Sequence, residues 1–242
     1  MKLNKNNLLV LVCILMIISV HAILSTKVEA VNEDLTIVNG VLKKYNGEDA
    51  EVTIPKTIKK IGDGAFSQCS NLISITIPDS VASIGISAFA QCSNLTSIII
   101  PDSVIGIGDD AFGGCSNLTS ISIPNSVTSI GKGAFSECSS LKSIIIPDSI
   151  GTIHRNTFMW CENLTDITIP TSVTSIDNGA FFNCSNLTTI SIPSSVSSIG
   201  AMTFENCKGL VDITIPTSVI SIGAHAFSHT PWLEKNKRKI LL

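Results

Sequence analysis

Charged and aromatic side chains are both scarce in this sequence, at 14% and 5% of its 242 residues. The 16 basic and 19 acidic residues leave a formal net charge of −3, so no basic surplus points to nucleic acid as a partner. No Cys-x-x-Cys pair occurs, which removes the usual zinc spacing. Neither a Gly-x-Ser-x-Gly elbow nor a phosphate-binding glycine loop is present. No acid, base or nucleophile breaks the repeat described below as a group. The chain is therefore expected to be no enzyme, to hold no cofactor and to have no metal site.

Long apolar runs are also missing after the first thirty residues. The one extended run, Leu8 to Val20, is shorter than the roughly 20 residues needed to span a bilayer. Lys2 and Lys5 precede it, and a polar stretch follows that ends Val28-Glu29-Ala30. This order predicts a secretory signal peptide over 1–30, cleaved after Ala30. Cys13 lacks a small residue before it, so lipid attachment there is not expected. With no wall-sorting signal near the C-terminus, the mature chain is expected to be secreted or cell-surface associated, without a membrane span.

What is present is a 23-residue period. Prolines stand at 55, 78, 101, 124, 147, 170, 193 and 216, and phenylalanines at 66, 89, 112, 135, 158, 181, 204 and 227. Cysteines keep the same step at 69, 92, 115, 138, 161, 184 and 207. A fixed period of this length marks a solenoid, because one unit cannot bury its apolar side alone. Seven full units and one partial unit fill 55–233. In each, Leu-x-x-Ile-x-Ile matches the strand of a leucine-rich repeat. Alternation puts Ile75 and Ile77 inward, with Ser74 and Thr76 outward. The proline after each strand ends it. Gly-x-x-Ala-Phe is read as a tight helical turn on the opposite side.

The glycine column holds Gly62, Gly85, Gly108, Gly131, Gly200 and Gly223, with His154 and Asp177 in units five and six. Asp and His tolerate positive φ, so a left-handed conformation is expected along it. Exposed solenoid ends need caps. Asn39-Gly40 between apolar runs predicts a β-hairpin cap within 31–54. At the other end, Trp232 and Leu233 are expected to fold over the last unit. Residues 234–242 form a basic tail, read either as a disordered end or as a truncation of a longer relative.

The combined Pro, Gly-x-x-Ala-Phe, Cys and Leu-x-x-Ile-x-Ile elements resemble the BspA-like leucine-rich repeats of bacterial surface and secreted proteins. The resemblance covers about 36–234 and implies a solenoid used for adhesion or protein binding, with no catalytic residues to carry over. The resulting expectation is a β-rich α/β solenoid: a right-handed leucine-rich-repeat horseshoe with a parallel concave sheet and short convex helical turns. An extracellular or host protein is the expected partner, and self-association is the second reading.

Individual residues add little chemistry. Side chains in one ladder point in parallel, so the cysteines are expected to be free and buried rather than bridged. His225 and His229 are four apart without an acidic residue between them, and are read as exposed turn residues. Of the fourteen outward sheet positions from Ser74 to Thr214, ten are Ser or Thr and none is aromatic or Arg. Binding hot spots are usually Trp, Tyr or Arg, so this face is a poor high-affinity site. The departures from consensus lie in units five and six: Met159, Trp160 and Phe182 follow the phenylalanine column, with Arg155 upstream. These four residues form the candidate partner-binding patch.

Overall fold

The computed structural model describes residues 33–240, and the expected signal peptide at 1–30 lies outside them. Each 23-residue unit closes one coil, and coils 1 to 8 begin at the prolines Pro55 to Pro216. Coils 1 to 7 each contribute to two faces, and the partial coil 8 to the second alone. Three-residue strands make the first face: β3 Glu51–Thr53, β5 Ser74–Thr76, β7 Ser97–Ile99, β9 Ser120–Ser122, β11 Ser143–Ile145, β13 Asp166–Thr168, β15 Thr189–Ser191 and β17 Asp212–Thr214. They pair in parallel two by two, β3 with β5, β7 with β9, β11 with β13 and β15 with β17. Their central residues are buried and their outer ones exposed from β7 on, as the alternation predicts.

The second face is built from two-residue strands: β4 Lys60–Ile61, β6 Ser83–Ile84, β8 Gly106–Ile107, β10 Ser129–Ile130, β12 Thr152–Ile153, β14 Ser175–Ile176, β16 Ser198–Ile199 and β18 Ser221–Ile222. Between the two faces run the buried columns. Phe66 to Phe227 stack with ring centroids 5.1–5.7 Å apart, and Cys92 to Cys207 lie beneath them, fully buried. Each of these six thiols donates to the carbonyl of a phenylalanine on the preceding coil, as Cys92 Sγ does to Phe66 O at 3.0 Å. The serines after each proline serve the same end. Ser80, Ser103 and Ser126 donate to carbonyls of the coil before at 2.7, 2.7 and 2.8 Å. These thiols and hydroxyls are thus satisfied between coils rather than within them.

That economy overturns the expected horseshoe with helical convex turns; the molecule is a β-solenoid of stacked parallel coils. In the Gly-x-x-Ala-Phe segment, alternate amides point to the next coil. Gly64, Phe66 and Gln68 donate to Ile86, Ala88 and Ala90 at 2.7–2.8 Å. The residues between them, Ala65, Ser67 and Cys69, donate three residues back within their own turn. Half the amides that a helix would spend internally are used to bind the stack.

The glycine column is also corrected. Positive φ falls two and six residues later, at positions such as Ser87 (52°), Asp110 (51°), Gln91 (62°) and Trp160 (63°). The glycines are there because coils approach closely. A methyl at Gly108 would lie 2.6 Å from the Gly85 carbonyl carbon, and one at Gly131 would lie 2.5 Å from that of Gly108.

At the N-terminal end, β1 Leu35–Val38 and β2 Val41–Tyr45 pair antiparallel around Asn39-Gly40, both at positive φ (51° and 73°) as a tight primed turn requires. β2 then pairs in parallel with β4, and Tyr45 closes the phenylalanine stack, 5.3 Å from Phe66. At the other end α1, Pro231–Ile240, takes the place of a structureless tail. Thr230 caps it by accepting the Leu233 amide at 3.2 Å. Trp232 lies 4.9 Å from Phe227 and covers that end of the stack. Among the described residues no helix is long and apolar enough to cross a membrane.

The short-strand face is interrupted once. Six strands run in order β1-β2-β4-β6-β8-β10, and a separate sheet runs β12-β14-β16-β18. At the other junctions of coils 1 to 8 two amides tie this face, as Thr128 to Ile105 and Gly131 to Ile107 do at 2.9 Å. Between coils 4 and 5 neither bond forms, although Gly133 still reaches Arg155 and Phe135 still reaches Thr157. Coil 5 is enlarged at three columns: Ile150 for valine, His154 for glycine and Thr157 for alanine. The ladder is lost where these three enlargements coincide, and an apolar crevice lies there between Ile130, Ile150, Ile153 and Phe158. Asp177, the other substitution in that column, keeps its bond to Ile153 and accepts His154 Nδ1 at 3.2 Å across coils 5 and 6.

Candidate functional site

Coil 5 also carries the residues that depart most from consensus. The second left-handed column reads Gln68, Gln91, Gly114, Glu137, Trp160, Asn183, Asn206 and His229. Small or flexible polar side chains tolerate this conformation, whereas a bulky aromatic there is an outlier that costs of order 1–3 kcal/mol. Trp160 nevertheless occupies it, 40% exposed, with its amide donating to Phe182 O at 2.8 Å. Its ring meets that of Phe182 at 5.9 Å and 60°. Phe182 and Met159 are each half-buried and share one column on adjacent coils. Three of the four patch residues therefore lie together, as a ridge over coils 5 and 6.

Arg155 lies elsewhere. With Lys132, its column neighbour one coil earlier, it lines a shallow groove of about 480 Å³ that includes Asp177 and Asn178. The ridge borders a second groove, of about 380 Å³, lined by Trp160, Glu137, Glu162, Ser116 and Ser139. Glu137 precedes Trp160 by one repeat in the same column, and Glu162 interrupts a column of serines. Glu137 sits in a column of polar residues and is inconspicuous there, and Glu162 lies beyond the two positions that follow the phenylalanines. Placing every charged residue in the 23-residue register would have found both.

Among the described residues no group of three His, Cys, Asp or Glu could hold a metal ion. His225 and His229 are exposed at positive φ, and His225 Nδ1 meets Ser228 Oγ at 3.3 Å. The cysteines among the described residues are free, and burial pushes their thiols above the ordinary value near 9, to about 12 at Cys161 and Cys207. Protonated buried thiols are inert. Cys69, half-buried in coil 1, is also raised by burial, with Lys44 pulling it down.

This geometry has known counterparts. A leucine-rich cell surface protein from Faecalibacterium prausnitzii is 30% identical, with a TM-score of 0.69 over 79% of this chain and 70% of its own. A leucine-rich repeat protein of T. pallidum is 28% identical, with a TM-score of 0.60 over 83% and 87%. One from Eubacterium ventriosum is 26% identical, with a TM-score of 0.64 over 77% and 60%. No curated protein matches. The family model described as BspA type leucine rich repeat region, in 6 copies, matches residues 44–163 and 151–237. The chain belongs to the BspA-type leucine-rich repeat family.

Proposed function

We propose that this chain is a secreted, non-enzymatic recognition module that binds an extracellular or host protein through the ridge of Met159, Trp160 and Phe182. The observation that carries this reading is Trp160: an exposed aromatic held in a left-handed conformation, in a column otherwise free of aromatics, against a second aromatic ring. Such strain persists where the surrounding structure imposes it, and it clusters at binding sites. Tryptophan is also among the residues most enriched at binding hot spots. The family supplies the setting, repeat proteins of the bacterial surface.

The test is binding of purified residues 31–242 to a panel of extracellular-matrix proteins, serum proteins and glycans, beside a Met159→Ser, Trp160→Ser, Phe182→Ser variant. Saturable binding to a protein, lost in the folded variant, is the expected result. Binding that survives in the variant overturns the ridge. A second reading, self-association, is favoured by β18, which pairs on one side only, and by Ile220 just before it, 87% exposed. Sedimentation that grows with concentration, without binding to any panel member, would favour it instead.

A further inference from the structure

We infer that the groove beside Trp160 receives a lysine or arginine side chain of the partner protein. The inference rests on Trp160 as a recognition residue and assigns the chemistry of what it recognises. Five residues line the groove, and they include two carboxylates, one indole and no cation. A tryptophan face attracts an ammonium or guanidinium through its ring quadrupole. Glu137 and Glu162 add opposite charge at the same place. Glu162 Oε1 already accepts from Asn183 Nδ2 at 3.4 Å, a long bond that leaves Oε2 for an incoming donor. Ser116 and Ser139 donate their hydroxyls to the carbonyls of Ser93 and Ser116 at 3.5 and 3.3 Å. Their oxygens therefore present lone pairs to the groove, as acceptors for N–H donors. Of the three lysine and arginine side chains of coils 4 and 5, Lys132 and Arg155 line the other groove, and Lys142 is not among the residues that line this one. Acceptors, negative charge and an aromatic wall converge on a groove with room for one long side chain.

The test follows the indole N–H signal of Trp160, one of 2 tryptophans, assigned with a Trp160→Phe variant. The probes are acetyl-Gly-Lys-Lys-Gly-amide, its arginine counterpart, the same peptide with both lysines acetylated, and cellotetraose. Both cationic peptides should shift the signal saturably, with affinity weaker than about 1 mM for so small a ligand. Acetylation, 0.5 M salt, or a Glu137→Gln, Glu162→Gln double variant should each weaken binding about tenfold, because the attraction is between charges. Circular dichroism of the double variant should match the parent, both side chains being at the surface. Equal shifts from the acetylated peptide or cellotetraose would overturn the inference, as would no shift from any probe. Protein binding lost in the triple serine variant but unchanged in the double glutamine variant would also overturn it, and would leave the ridge standing.

Discussion

Glycine serves two different ends along this chain, and substitution separates them. At Gly131 the hydrogen of glycine faces the preceding coil, and a methyl would press on the Gly108 backbone at 2.5 Å. At Gly151 nothing lies within 4 Å of the same methyl. Gly131→Ala should therefore lower unfolding stability by about 1–3 kcal/mol, the usual cost of overpacking. Gly151→Ala should stay within about 0.5 kcal/mol of the parent. Urea denaturation of the two variants measures both, and equal losses would mean that close approach is not what the glycine column requires. A periodic glycine reads in sequence as a call for positive φ or for space, and the two look alike until the facing atoms are known. The sequence therefore points to one left-handed column at the glycines, where the structure has two, two and six residues later.

At the scale of the element, the gap between β10 and β12 has a local cause and a measurable consequence. Without their bonds to coil 4, the amides of Gly151 and His154 should exchange with deuterium faster than the equivalents at Thr174 and Asp177, which are bonded at 2.9 and 2.8 Å. A His154→Gly substitution should restore the ladder and slow exchange at both positions. Unchanged exchange in that variant would shift the cause to Ile150 and Thr157, the other enlarged positions of coil 5. The elements themselves were unequally legible. The three-residue strands announce themselves through Leu-x-x-Ile-x-Ile, whose inward isoleucines repeat at period two. The two-residue strands have no such signature: one buried isoleucine and its neighbour cannot show a period. The turn at Gly-x-x-Ala-Phe misled in the opposite way, because compact spacing resembles a helical turn while its alternate amides bond between coils.

For the whole molecule, the thiol column ties stability to pH. The fold keeps the buried thiols protonated, whereas the unfolded chain releases those protons above about pH 9. The folded state then binds more protons than the unfolded one. Stability should be full below pH 9 and fall toward pH 12, by about 1.4 kcal/mol per pH unit for each buried thiol. Urea midpoints measured from pH 7 to 11 check this, and Cys138→Ala with Cys184→Ala should flatten the decline. A midpoint independent of pH above 9 would mean that the thiols already titrate in the folded chain. In the native state an alkylating reagent should modify Cys69 first, since the other six are buried.

The sequence by itself determined the period, and with it the solenoid, the inward and outward alternation of the long strands, the buried phenylalanine and cysteine columns, and the aromatic end at Trp232. These follow from side chains that need burial at regular spacing, which a linear pattern records directly. Only the tertiary structure decided the second sheet, the left-handed columns, the gap at coil 5, and the meeting of Trp160 with Glu137 and Glu162. Each depends on what lies one coil away, about one 23-residue repeat along the chain, as Glu137 is from Trp160. Such contacts are set by how closely neighbouring coils approach, and that distance is fixed by the stack as a whole rather than by any one unit.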